Sequence, residues 1–206
     1  MLRSTLDHLV IVAPSLAEGS DYVQRALGVA PRPGGEHARM GTHNRLLKLG
    51  ERMFLEVIAV NPNAAAPGRP RWFGLDRPLT ECRLATWVVR TDDVRAALKA
   101  SRLPLGKIEP MTRGRFEWEI TVTEDGGPPL DGIAPTIIQW RDAHPMDGVR
   151  YSGCLLVRVE AFHPRSAEVR AALDAMRFEG PFSISPGDRP RLIAHIRTPA
   201  GPRILE

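Results

Sequence analysis

Leu6-Asp7-His8-Leu9-Val10-Ile11-Val12 and Phe54-Leu55-Glu56-Val57-Ile58-Ala59-Val60 are apolar strand patterns, each carrying a polar residue where a sheet core belongs. Strand side chains alternate between faces, which places Leu6, His8 and Val10 together on one side and Phe54, Glu56 and Ile58 together on another. Burying a carboxylate without a partner costs several kcal/mol or drives it to take up a proton. Glu56 therefore needs a cation, a metal or a wet pocket, and a facing His8 supplies half of a metal site.

Working outward, the same order of elements occurs three times: an apolar strand, a short polar break, an amphipathic helix and further strands, with a period of about 75 residues. In the first unit Ser15-Leu16-Ala17-Glu18 is a capping box that starts a helix ending near Gly28, with strands at 45–49 and 53–60. The second has a strand at 84–89, a cap at Thr91-Asp92-Asp93, a helix to about Ser101, and strands at 116–122 and 135–140. The third has a strand at 154–159, a break at His163-Pro164, a helix over 166–178, and strands at 191–196 and 203–205.

This predicts an α+β protein of repeated βαβββ modules: module 1 at 1–61, module 2 at 79–143 and a βαβββ-like module 3 at 153–206, forming one unit. Proline-rich stretches at 61–78 and 144–153 separate them. The first carries Trp72-Phe73, which a free linker seldom does, so that loop is expected to pack on the body over a pocket.

A 206-residue chain with 43% hydrophobic and 25% charged residues is an ordinary globular protein. Its N-terminus lacks a secretory pattern and no apolar run approaches the ~18 residues of a membrane span, so a cytoplasmic location without membrane contact is expected. The formal charge of +4 comes from scattered arginines rather than a basic stripe, which argues against nucleic acid. Cys82 and Cys154 have neither metal nor CxxC spacing. Gly126-Gly127-Pro128-Pro129 reads as a turn, because proline removes the amide donors a phosphate would need.

Gly41-Thr42-His43-Asn44, Phe54-Leu55-Glu56, the segment from Arg69 to Asp76, and Pro135-Thr136-Ile137-Ile138-Gln139-Trp140 with His144-Pro145 resemble the glyoxalase-like domain branch of the vicinal oxygen chelate superfamily. The resemblance implies paired modules with mixed sheets curled around a cleft. It also implies that His8 and Glu56, the first-strand and last-strand polar residues of module 1, point into that cleft as metal ligands. In module 2 the corresponding positions fall at Ala85 or Thr86 and at Gln139, so the four-ligand set is incomplete and Gln139 is its one neutral candidate.

Of His43 and Asn44 only one can face the cleft, and the resemblance favours Asn44 as a polar contact to ligand. Trp72 and Trp118 are candidate walls, although the face shared by Phe116, Trp118, Ile120 and Val122 is also a core face. Gln139 shares a face with Ile137 and needs an indoor partner, which a ligand or the backbone can provide. His144 is a ligand contact or an exposed loop residue. His37, His163 and His195 have no partner pattern and are assigned to structure or surface.

The expected function is a glyoxalase-like lyase or isomerase acting on a small molecule with vicinal oxygens. His8, Glu56 and Gln139 would hold a divalent zinc, nickel, manganese or iron ion that stabilises an enolate, with Glu56 the candidate base. The alternative is a metal-free sequestering protein of the bleomycin-resistance type. The cleft is completed within one chain or across a homodimer.

Overall fold

The computed structural model describes residues 2–206. Module 1 comprises β1 (Ser4–Val12), α1 (Leu16–Leu27), β2 (Arg32–His37), β3 (Thr42–Gly50) and β4 (Met53–Val60). The capping box forms as expected: Ser15 Oγ accepts the Glu18 amide at 3.2 Å and donates to the Glu18 carboxylate at 2.7 Å, and Gly28 ends the helix at φ 74°. Module 2 repeats the order with β5 (Arg83–Thr91), α2 (Val94–Ser101), β6 (Lys107–Arg113), β7 (Phe116–Val122) and β8 (Thr136–Trp140).

These strands form one mixed sheet in the order β2-β3-β4-β1-β5-β8-β7-β6. Each module pairs its first strand in parallel with its last, β1 with β4 and β5 with β8, and antiparallel β1 and β5 join the two halves at the centre. The sheet curls into a half-barrel whose edge strands β2 and β6 approach each other. Leu9, Ile11, Leu55, Val57 and Val89 pack outward beneath the helices, whereas Val10, Ile58, Val88, Ile120 and Ile138 line the inside with Trp72 and Phe73.

The third unit comprises β9 (Leu155–Phe162), α3 (Ser166–Ala175), the two-residue β10 (Phe178–Glu179), β11 (Phe182–Ser185), β12 (Arg191–Thr198) and β13 (Gly201–Leu205). The expected strand, helix and two final strands are present, with β10 and β11 as additions after the helix; its separate sheet runs β11-β9-β12-β13, so β9 pairs in parallel with a strand soon after the helix rather than with the last. It packs on the outer layer, where Trp87 stacks on Phe182 at 4.0 Å, and it lends β10 to the start of β1 through Ser4 and Thr5. Among the described residues no helix is long and apolar enough to cross a membrane.

One expectation about β1 fails. The β1–β5 register slips between Leu6 and His8, leaving Asp7 as the extra residue of a β-bulge. The slip reverses the alternation: Leu6 joins Leu9 and Ile11 in the outer core, while His8 keeps to the inner face with Val10. The bulge lets the neighbours Asp7 and His8 belong to one polar network.

Candidate active site

Inside the half-barrel a narrow gap lies between the two modules of a single chain. Its walls are Trp72, Phe73, Trp118 and Trp140 with Ile120 and Ile138, and its polar groups are His8, Glu56, His37 and Arg113. The loop between the first two modules closes one side as expected. Phe73 holds φ 59° there, a left-handed conformation costly for an aromatic residue that here sets the ring against Trp72 at 5.5 Å.

Asp7 is wholly inaccessible to solvent and gathers its partners from three directions. Its Oδ1 accepts from His8 Nδ1 at 2.6 Å, and its Oδ2 accepts from Trp140 Nε1 and His144 Nε2, both at 3.1 Å, with Arg90 Nη1 3.6 Å away. Burial alone would raise the Asp7 pKa, but the hydrogen bonds and charges of His144 and His8 hold it well below the usual carboxylate range. His144 takes the Met146 amide on Nδ1, which leaves its proton on Nε2 for Asp7.

The bond to Asp7 also fixes the His8 tautomer. With Nδ1 protonated, Nε2 faces Glu56 Oε2 at 3.6 Å, and the ring stacks on Phe54 at 4.5 Å. At that separation the two atoms do not hydrogen-bond directly. The other oxygen of Glu56 accepts from Asn44 Nδ2 at 2.5 Å, and Asn44 Oδ1 takes the Gly35 amide at 2.9 Å. Gly34 permits this approach, since a Cβ there would lie 2.1 Å from Asn44 Oδ1.

Behind Asn44, Thr42 Oγ1 accepts from Trp72 Nε1 at 3.2 Å and lies 3.0 Å from His37 Nδ1. His37 Nε2 faces two donors, Asn44 Nδ2 at 3.4 Å and Arg113 Nη1 at 3.5 Å, so it is the acceptor and Nδ1 carries the proton. Burial, with Arg113, His43 and His8 nearby, pushes the His37 pKa well below the ordinary 6.5. The unfolded chain thus binds a proton below pH 6.5 that the folded chain refuses, and stability is present above that value and lost as pH falls. Denaturant titrations are expected to show a slope of up to about 1.4 kcal/mol per pH unit beginning there. His37→Asn should flatten it, and an unchanged slope in the variant would assign the effect elsewhere.

The structure brings His8, Glu56, Asn44, Trp72 and Trp118 together around this gap, with His144 in the layer behind. It does not bring Gln139 there. Gln139 shares the outward face of Ile137, and its Oε1 accepts the Val94 amide at 2.9 Å at the start of α2, while Trp140 faces the gap. His144 is buried rather than exposed, and His37, assigned above to structure or surface, lines the gap. Sequence reasoning singles out neither Asp7 nor Arg113. Asp7 stands in the deciding strand as a second polar residue, a readable signal; Arg113 lies in an edge strand interrupted by Pro110, and nothing local marks it.

His8 Nε2 and Glu56 Oε2 could touch one ion, and a carboxylate behind a histidine is common at metal sites. The set stops there: with Gln139 turned away, module 2 offers Arg113, Ile120, Ile138 and tryptophans, none of them a metal ligand, and among the described residues no three His, Cys, Asp or Glu side chains are arranged to hold an ion. Catalytic zinc sites take three protein ligands. The residues present do not make a resident metal site.

Paired modules that share one curled sheet around a cleft define the vicinal oxygen chelate superfamily. Within it the chain belongs to the family described as the glyoxalase-like domain, whose sequence profile matches residues 6–176. No curated protein matches the chain. Among solved structures, a hypothetical protein from Staphylococcus aureus is similar over 91% of this chain and 88% of its own, at 14% identity and a TM-score of 0.66. A Streptomyces coelicolor methylmalonyl-CoA epimerase variant in complex with 2-nitronate-propionyl-CoA covers 68% of this chain and 97% of its own, at 16% identity and a TM-score of 0.44. The Mycobacterium tuberculosis methylmalonyl-CoA epimerase covers 70% and 91%, also at 16% and 0.44. At these identities the likeness is one of fold. Family and fold support a small-molecule enzyme or binding protein.

Proposed function

We propose that the chain is an enzyme that moves a proton on a small carbonyl compound held between the tryptophans, using Glu56 as base and His8 as electrophile. The observation that carries this reading is the 3.6 Å separation of His8 Nε2 and Glu56 Oε2 on the cavity wall, with Asp7 fixed behind His8. With a proton on His8 Nε2, the Glu56 carboxylate can remove a proton from the carbon beside a carbonyl. The His8 Nε2–H then donates to the oxygen that gains charge, and Asp7 stabilises the imidazolium. Return of the proton to the same or another atom gives exchange or isomerisation.

The aromatic walls favour a second reading, sequestration of a small molecule without chemistry. Proton NMR in D2O over a panel of small 2-oxo acids and other carbonyl compounds separates the two. Enzyme-dependent loss of a C–H signal supports catalysis, and saturable binding without exchange supports sequestration. Elemental analysis of the same sample is expected to find well under one equivalent of transition metal. A full equivalent lost in His8→Ala would reinstate the metal-dependent reading.

A further inference from the structure

Arg113 is left over from this network. It projects from β6 across the seam of the half-barrel to β2, and its one polar partner among the described residues is His37 Nε2, a weak contact at 3.5 Å. No carboxylate among the described residues pairs with it, although its guanidinium lines the enclosed gap beside Trp118 and Phe73. Burial depresses its pKa, Glu56 pulls it up and Arg32 lowers it further. A half-buried guanidinium whose one polar partner is a neutral ring keeps donors free for an anion.

The opposite side of Arg113 faces an open vestibule of about 370 Å3 between β2 and the β6–β7 turn. Its charged residues are Arg32, Arg113 and Arg115 against Glu36, and among the described residues neither Arg32 nor Arg115 has an ion-pair partner. Arg113 and Arg115 lie 5.5 and 5.2 Å from the centroid of the Phe116 ring, which holds them at the rim. Arg113 therefore stands between a basic entrance and an aromatic chamber. Gly35 lets it lie there, because a Cβ at that position would come within 2.8 Å of Arg113 Cδ.

We propose that Arg113 is a carboxylate receptor and that the substrate is a small organic acid with an apolar or aromatic body, admitted through this vestibule. The inference rests on reading the cavity as a substrate site. A planar guanidinium matches a carboxylate with two parallel hydrogen bonds, the neutral His37 offers no competing charge, and the tryptophan walls take the apolar body. Seated in this way, the acid extends toward His8 and Glu56.

The test is a titration of 3-phenylpropionate and 3-phenylpropionamide, followed by tryptophan fluorescence, into the full chain as purified and again after dialysis against a chelator. These probes differ in charge and lack vicinal oxygens. The carboxylate is expected to bind at least about 10-fold more tightly than the amide in both preparations. The preference should vanish in Arg113→Gln, with folding checked by thermal melting. Arg113→Lys, which keeps the charge and loses the fork, should retain part of it, and serves if the Gln variant does not fold. Equal affinity for the two probes, no saturable binding of either, or a preference that survives Arg113→Gln each overturns the proposal. A preference abolished by the chelator would place the carboxylate on a metal and also overturn it. Failure of the C–H exchange screen with the carboxylate preference intact would instead remove the catalytic reading and leave a receptor for organic acids.

Discussion

Asp7→Asn is expected to cost about 3–5 kcal/mol of stability at pH 7, the range seen when one member of a buried charged pair is removed. Asp7 Oδ1 and Oδ2 accept from His8, Trp140 and His144, and an asparagine has one acceptor oxygen for these donors. Whichever way the amide is turned, its NH2 meets a donor. For a chain of this size the loss corresponds to roughly 10 °C in Tm. The sign of the pH dependence follows from the depressed Asp7 pKa: the unfolded chain binds more protons near the ordinary carboxylate value, so Asp7 stabilises fully above about pH 4 and less as pH falls through its folded value. The gap between wild type and variant, measured by urea denaturation, should therefore narrow on acidification below pH 4. A variant as stable as wild type at pH 7 would show that the network carries no net stability.

Glu56→Gln is expected to lower enzyme-dependent C–H exchange by about 10²–10⁴-fold, the span of a general base, with little change in melting temperature. The geometry explains why the two effects separate. The amide oxygen introduced by the substitution can still accept from Asn44 Nδ2, and the new NH2 can donate to a neutral His8 Nε2, so the network closes without the carboxylate. What disappears is the carboxylate that removes a proton from carbon. Exchange measured by NMR and melting measured on the same preparation decide the matter: a variant that exchanges at the wild-type rate removes Glu56 from the chemistry.

Much of this architecture is readable because β1, β4, β5, β7 and β8 alternate or run apolar and α1 and α2 carry side-chain caps. Among the strands that escape such a reading are β2, with Pro33-Gly34-Gly35, and β6, with Pro110; both lie at sheet edges, where proline is tolerated and strand propensity is low. They bear His37 and Arg113, so the half of the site that closes the seam is hidden with them. The pair His8 and Glu56 is legible because a polar residue in an apolar strand demands a partner. Gln139 makes the same demand, but a helix amide on the outer face answers it. No local pattern reports a bulge, and the one at Asp7 joins neighbours that strict alternation would have separated.

The pairing of β10 with β1 has a consequence for the life of the polypeptide. Ser4 and Thr5 take Phe178 and Glu179 as neighbours, and Ser4 Oγ donates to the Met176 carbonyl at 2.9 Å, 172 residues further along the chain. At about 5–20 residues per second on a ribosome, Asp7 and His8 wait roughly ten to thirty seconds after their own synthesis before their strand has all its borders. Nascent module 1 emerges with an unfinished strand, whose first residues, Ser4 and Thr5, gain this border only once the third unit has left the exit tunnel far enough to offer β10.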